Sequence, residues 1–295
     1  MKTTLRGLAI ALLIPLFLAV QVHAETASVT PETPANWWQK SSLDPTAEYS
    51  GWLKRLNLSL TYNHLTGNTE GYALGGSAGL TLRKGRTTGT LSYDINKKDI
   101  TQGEEDTVKS EKWTTVLAGQ YDFCRSGYGS AAYIWEQDSN NNIEMREITV
   151  AGIGSYLVSS ERLNLNLFLG AGQTDEDYDH IVKRYTAIDN RTYNMLYLYQ
   201  TLEWQITEWL TLSQGVRLIH SFSEMNEFSM EDETSAVSVT GQSRRDLLMV
   251  KVELQVPIRQ YFSIFSSWNL NYDSHPWPGN DSTDTLTTVG LRFSH

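Results

Sequence analysis

Four histidines and one serine are the residues whose types could support hydrolysis. His64, His180, His220 and His275 fall near predicted strand ends or in loops, and Ser221 directly follows His220. A hydrolase needs a serine and a histidine within hydrogen-bond reach, with a third polar group that orients the imidazole. Neighbouring residues of a strand point to opposite faces, so His220 and Ser221 cannot be that pair. We expect no catalytic residues and no enzyme, and a lipase or protease stays open as the alternative.

An acidic run, Asp175-Glu176-Asp177-Tyr178-Asp179, could supply metal ligands or, with His180, the acidic groups of a protease. A calcium loop of the helix–loop–helix kind needs a glycine at its sixth position and a glutamate at its twelfth, and neither fits here. Hydration of an acidic loop explains the run as well, as it does for Glu231-Asp232-Glu233. We expect no metal site and no cofactor, and weak retention of divalent ions stays open.

The elements that must position these residues are β-strands. Residues 163–169 place a leucine at every second position, with asparagine between the first three. A period of two gives a strand with one apolar and one polar face. Twelve segments of this kind follow one another from about residue 52 to the C-terminus. No stretch in that part of the chain approaches the roughly 18 consecutive apolar residues of a spanning helix.

The apolar face of strand five is predicted to carry Ala131, Tyr133 and Trp135, although Ile134 argues for the opposite phase. In strand six the apolar face is assigned to Ile148, Val150, Tyr156 and Val158, which puts Glu147 and Thr149 on the polar face.

The turn between strands eight and nine gives a register prediction. If Thr207 centres the turn, Gln200 lies directly opposite Gln214. These are the two polar residues of the apolar face, and a hydrogen bond between them would lower the cost of placing them in hydrocarbon. We therefore predict a Gln200–Gln214 pair.

The N-terminus indicates export. Residues 1–24 combine Lys2 and Arg6, an apolar run over 8–20 and the small-residue site Val22-His23-Ala24. These features are typical of a signal peptide, and the apolar run is too short to span a membrane as a helix. Residues 25–51 contain three prolines and are predicted to be a flexible periplasmic segment. The third domain, residues 52–295, holds all twelve strands.

The connections indicate how the strands are arranged. They are short after strands two, four, six, eight and ten, and long and hydrophilic after strands three, seven, nine and eleven. Short periplasmic turns and long external loops are typical of barrels in the Gram-negative outer membrane. The predicted fold class is therefore all-β, an antiparallel up-and-down transmembrane β-barrel of 12 strands with both termini periplasmic. The alternative is a secreted β-sandwich or calyx whose apolar faces point inward.

Composition agrees with a barrel in the outer membrane. Fifteen Tyr and nine Trp suit aromatic girdles at the membrane interfaces. The net charge is −10, and loss of Lys2 and Arg6 with the leader makes it −12, which disfavours nucleic-acid binding. The single cysteine, Cys124, excludes an internal disulfide.

The polar faces of the strands would line the lumen of such a barrel. The residues predicted to face it are Asp94, Asp122, Glu147, Tyr197, Tyr199, Glu203, Arg217, Lys251, Glu253 and Arg292. Side chains fill barrels of about eight strands, and barrels of about 16–18 strands hold a wide channel, so twelve strands fall between. These charges could line a narrow pore or pair into a plug, and the mixture of signs argues against strong ion selectivity.

Several short segments resemble a known family. They are Thr66-Gly67-Asn68-Thr69 after the first strand, a Gly-rich second strand, Tyr121-Asp122-Phe123 at the end of the fourth strand, and residues 151–157, Ala-Gly-Ile-Gly-Ser-Tyr-Leu. Together they resemble the family of salt-induced outer-membrane proteins, whose β-barrel domain has no known function. The resemblance runs from about Trp52 to the C-terminus and implies an outer-membrane location and a link to envelope stress. Typical outer-membrane barrels end in an aromatic residue, whereas here Ser294 and His295 follow Phe293.

The functional prediction is a narrow passive pore for small solutes or ions. The alternatives are a barrel that conducts nothing and stabilises the envelope or presents loops, and an outer-membrane enzyme. The expected partners are outer-membrane lipid, lipopolysaccharide and the outer-membrane assembly machinery, with no nucleic acid. The closed barrel is expected to be a monomer, since closure leaves no strand edge to satisfy.

Overall fold

Twelve antiparallel strands close into one barrel in which each strand pairs with its neighbours in sequence and β1 pairs with β12. The structure is a computed structural model that describes residues 51–65, 70–102, 106–139, 142–179, 190–229, 238–276 and 282–295. The predicted closed antiparallel β-barrel and its twelve strands are confirmed. The predictions of a signal peptide over 1–24 and of a flexible segment over 25–51 fall almost entirely outside the described residues. In the described ranges, no helix is long and apolar enough to cross a membrane.

The strands are β1 (Leu53–Leu65), β2 (Glu70–Lys84), β3 (Thr87–Gln102), β4 (Asp106–Cys124), β5 (Gly127–Asp138), β6 (Ile143–Ser159), β7 (Leu163–Tyr178), β8 (Asn190–Thr207), β9 (Leu210–Ser229), β10 (Ser238–Arg259), β11 (Phe262–Asp273) and β12 (Thr283–Ser294). All twelve are longer than the roughly 9–11 residues that cross a bilayer at a tilt.

The two ends of the barrel differ. One end, here called the terminal end, holds the start of β1, the end of β12 and the five short turns. The turn between β2 and β3 is one of them: Lys84 pairs with Thr87, and Gly85 between them has a φ of 54°, which suits glycine. At the other end, here called the loop end, β7 and β9 stop at Tyr178 and Ser229, and β8 and β10 begin at Asn190 and Ser238. The connection after β3 is shorter than predicted, because β3 and β4 extend to Gln102 and Asp106.

The outer face of the barrel is apolar. Directly paired residues of neighbouring strands lie on one face, and the predicted lipid-facing residues occupy the outer face in eleven of the twelve strands. Large exposed side chains there include Leu60, Leu74, Leu117, Phe222 and Leu291. A barrel that crosses a membrane needs such a belt.

Strand β6 is the exception: its prediction is wrong for Ile148, Val150 and Tyr156, whereas Val158, after an irregularity, pairs with Leu165 on the outer face. Ile148 and Val150 point into the barrel and are buried, whereas Ile153 on the opposite phase is exposed. Glu147 pairs in register with Trp135 and accepts a hydrogen bond from the Tyr133 hydroxyl at 2.6 Å, so it lies on the outer face. The lumen is apolar where β6 lines it. Ile148, Val150 and Tyr156 therefore face inward, whereas in the other strands the predicted apolar face points outward.

The register between β8 and β9 also differs from the prediction. Gln200 pairs with Val216, and Gln214 pairs with Leu202. The turn is centred on residues 208 and 209, one position later than expected, and an irregularity between Gln205 and Thr207 precedes it. Moving the centre of a hairpin by one residue shifts every pair by two, so the two glutamines are diagonal neighbours.

Candidate functional site in the barrel lumen

The lumen has two unlike halves. The filled half lies against strands β4–β10 and is occupied by side chains. The open half lies against β1–β3 and β10–β12, with contributions from β4 and β5, and contains a cavity of about 260 Å³. This division separates the part of the lumen that side chains fill from the part that contains the cavity.

The centre of the filled half is an apolar cluster. Its buried members are Tyr128, Ile134, Ile148, Val150, Tyr156, Phe168, Tyr193, Met195, Tyr197, Ile219 and Leu247. Aromatic rings form much of it: Tyr128 lies 5.1 Å from Tyr156 and 6.4 Å from Phe168 between ring centroids. Gly154 on β6 makes room for this packing, since a Cβ there would lie 2.1 Å from the Tyr128 ring. The cluster therefore packs apolar side chains against one another in the interior of this half.

An ion-pair network covers the apolar cluster toward the loop end. Glu176 is fully buried, and its carboxylate accepts hydrogen bonds from Arg146 Nε at 2.7 Å and from Arg245 Nη1 at 2.6 Å. The hydroxyls of Tyr178 and Tyr193 donate to the same carboxylate at 2.7 and 3.0 Å. This carboxylate therefore holds two guanidinium groups in a place that water does not reach.

The network continues across the barrel. Arg146 Nη1 donates to Glu136 at 3.0 Å, and Arg217 Nη2 on β9 reaches the same carboxylate at 3.4 Å. Lys112 pairs with Asp138 at 2.7 Å, and Arg245 pairs with Asp273 at the end of β11. The Arg245–Glu176 and Arg217–Glu136 contacts join strands that are not neighbours, so the network spans the lumen. It contains as many cations as carboxylates, so loss of any one member would leave an uncompensated buried charge.

A smaller polar layer closes the apolar cluster toward the terminal end. Asp122 is fully buried and accepts hydrogen bonds from Arg83 at 3.0 Å, from Tyr156 at 2.9 Å and from Gln120 at 2.8 Å. The filled half therefore consists of apolar side chains between two layers of paired charge. Such a stack favours the plug that the sequence left open, but only in this half.

The open half is lined by small polar side chains. They include Ser59, Thr61, Ser77, Asn96, Thr114, Ser267, Asn269, Asn271 and Thr288. The Ser59 and Ser77 hydroxyls are hydrogen-bonded at 2.6 Å. Arg292 donates to Glu253 and to Gln255, and its guanidinium lies 4.6 Å from the centre of the Phe265 ring. Hydroxyls and amides can exchange partners with water, so this wall suits a solvated path.

Nine of the ten residues predicted to face the lumen do so, and Glu147 does not. Asp94, Lys251 and Arg292 line the cavity, with Glu253 bound to the two cations. Asp122 and Arg217 belong to the filled half, where Tyr197 is in the apolar cluster and Tyr199 pairs in register with Arg217. Glu203 pairs with Asn164 and Ser213 on the inner face. The carboxylate that Arg217 contacts is Glu136, on a distant strand.

The sequence did not single out Glu136, Arg146, Glu176 or Arg245. Glu176 had been assigned to an acidic loop, but β7 continues to Tyr178, so Glu176 points inward while Asp175 and Asp177 point outward. Arg146 could have been identified from its position, because it lies two residues before Ile148 and therefore on the same face of β6.

The residues considered for catalysis lie apart. His220 contacts Asp246 at 2.6 Å on the outer face, while Ser221 is fully buried inside, so their predicted separation is confirmed. His275 contacts Ser243 at 2.7 Å and Ser274 at 2.9 Å. The side chain of His64 and all of His180 lie outside the described residues. Among the side chains that the structure describes, no group of three or more His, Cys, Asp or Glu could hold a metal ion.

Solved barrels that resemble this one share little sequence with it. An outer membrane channel from Pseudomonas putida F1 has 8% identity and a TM-score of 0.44 over 82% of this chain and 94% of that one. The NanC porin has 8% identity and a TM-score of 0.43 over 81% and 97%. The translocator domain of the autotransporter NalP from Neisseria meningitidis has 12% identity and a TM-score of 0.42 over 83% and 88%. A search of curated proteins finds no match.

A family model gives a definite assignment. It matches residues 58–295, from β1 to the C-terminus, and its description is "Protein of unknown function, DUF481". The match covers the whole barrel except its first few residues. The chain therefore belongs to this family of unknown function.

Proposed function

We propose that this protein is an outer-membrane β-barrel that lets small polar solutes diffuse passively through the open half of its lumen. The observation that carries the proposal is the polar cavity of about 260 Å³ beside a half that is filled. Apolar residues cover the outer face, as a membrane requires, and the short turns at the terminal end favour a periplasmic position for both termini. The link to envelope stress stays a prediction of the family resemblance.

The geometry favours weak selectivity. The charged residues that line the cavity are Asp94, Lys98, Lys112, Asp138, Lys251, Asp284 and Arg292. An ion of either sign meets both attraction and repulsion along this wall, so we expect a small conductance with little preference for cations or anions. The filled half makes the path much narrower than twelve strands alone would allow.

Single-channel recording in planar bilayers tests the pore, using two tryptophan variants on β11. Ser267 lies in the cavity wall and is buried, whereas Ser266 is its neighbour on the exposed outer face. We expect Ser267→Trp to reduce the conductance several-fold and Ser266→Trp to leave it unchanged, since tryptophan is tolerated on a lipid-facing surface. Equal conductance of the two variants would place the path elsewhere, and absence of current from the unmodified chain would exclude a pore.

A further inference from the structure

The open half carries opposite net charges on two facing parts of its wall. Lys251 Nζ lies 3.4 Å from a Glu253 oxygen, and Arg292 Nη2 donates to the same oxygen at 2.9 Å. Two cations share one carboxylate, so this group, the positive pole, keeps one net positive charge. Asp94 on β3 lines the same cavity, and the cations that act on its carboxylate electrostatically are Lys251 and Arg292 of the positive pole. Asp94 is the negative pole.

A row of hydroxyls joins the two poles. Asp94 pairs in register with Ser77, Ser77 with Ser59, and Ser59 with Arg292. All four side chains point into the lumen. Three steps of about 4.8 Å between neighbouring strands separate the backbones of Asp94 and Arg292, and both side chains project toward the cavity. A small solute can therefore lie along the serines and approach a charge at each end.

The other charges of the cavity do not cancel this polarity. Lys112 and Asp138 form a pair at 2.7 Å, which has no net charge. Nearer the loop end, the cavity is lined by Lys98 on β3 and Asp284 on β12. At that level β3 carries the positive charge and β12 the negative charge, opposite to Asp94 and Arg292. A molecule carrying both charges can therefore be oriented as it moves from one level to the next.

We infer that the cavity binds small zwitterions, with the ammonium group at Asp94 and the carboxylate at the positive pole. A zwitterion can place an opposite charge against each pole at once, whereas a simple anion or cation can do so at only one pole. Ser59 and Ser77 supply hydrogen-bond partners between the poles. The inference rests on the proposed pore only in that a solute must be able to enter the cavity.

The test compares a zwitterion with an anion and a cation that each carry only one of its two charged groups. The refolded full chain is recorded in planar bilayers with added 4-aminobutyrate, butyrate or butylammonium. We expect 4-aminobutyrate to reduce the current at about tenfold lower concentration than butyrate or butylammonium, a factor that corresponds to about 1.4 kcal/mol of extra binding. Glycine and 6-aminohexanoate serve as shorter and longer probes of the distance between the poles.

Charge variants locate the site. Asp94→Asn should weaken the effect of 4-aminobutyrate about tenfold, and Lys251→Gln should weaken it several-fold. Asp99→Asn is the matched control, because Asp99 lies on the outer face of the same strand and accepts a hydrogen bond from Tyr72 at 2.6 Å. The double exchange Asp94→Lys with Lys251→Asp restores two opposite poles, so it should recover part of the effect that each single change loses.

Different results would contradict the zwitterion site and the proposed pore. A conducting barrel in which 4-aminobutyrate acts no more strongly than butyrate or butylammonium overturns the inference and leaves the pore. If the chain carries no current, equilibrium dialysis of the detergent-refolded protein with 4-aminobutyrate decides: binding that Asp94→Asn removes supports the zwitterion site, and equal binding by the unmodified chain and Asp94→Asn overturns it.

Discussion

The two halves of the lumen enclose the same kind of space with opposite chemistry. In the filled half, large apolar side chains and buried ion pairs exclude water, and Glu136 and Glu176 are fully buried. In the open half, serine, threonine and asparagine line a cavity in which Asp94 and Lys251 stay exposed. The difference shows that strand number alone does not decide how much of a lumen the side chains fill. Here one wall is packed with side chains and the other lines a polar cavity.

The largest effect is expected when the ion-pair network of the filled half loses its central carboxylate. Glu176→Gln removes a buried charge and leaves Arg146 and Arg245 short of a partner, which should cost about 3–5 kcal/mol of unfolding free energy. Urea unfolding of the refolded barrel, followed by tryptophan fluorescence, measures it. Asp175→Asn is the control, since Asp175 is the preceding residue on the exposed outer face. Equal loss in both variants would contradict a filled half that depends on buried charge.

A smaller loss of unfolding free energy is expected when a side chain of the apolar cluster is shortened. Ile148→Ala removes a side chain that is 1% exposed and should cost about 2–5 kcal/mol, because a cavity remains in a packed interior. Ile153→Ala on the same strand removes a side chain that is 64% exposed, and it should cost clearly less. The same unfolding measurement compares them. A larger loss for Ile153→Ala would restore the phase that the sequence predicted for β6.

The smallest loss of unfolding free energy is expected for a variant in the open half. Ser77→Ala removes the hydrogen bond to Ser59, and water in the cavity can replace the lost partner, so we expect about 1 kcal/mol or less. Ser266→Ala on the outer face serves as the control. A loss as large as that of Ile148→Ala would mean that the open half is packed like the filled half, and the comparison between the halves would fail.

Much of the fold could be predicted from the sequence because alternation is a local property. Each strand from Leu53–Leu65 to Thr283–Ser294 shows its two faces within a few residues, and a charge on the polar face is placed correctly wherever the lumen is polar. Asp94, Lys251 and Arg292 were found in this way. Glu147 was misplaced because Ile148 and Val150 serve an apolar lumen, and a local pattern cannot tell an apolar lumen from lipid.

Twelve strands, an apolar outer belt and most of the residues that face inward follow from period-two patterning and turn residues, which are local features of the chain. The tertiary structure was needed to establish the β8–β9 register, where a turn centred one residue later pairs Gln200 with Val216 instead of Gln214. It alone also brought Arg217 to Glu136 and Arg245 to Glu176 across the barrel. Contacts of this kind depend on closure, because closure brings strands that are not neighbours face to face across the lumen. The division of the lumen into a filled and an open half is a consequence of those contacts.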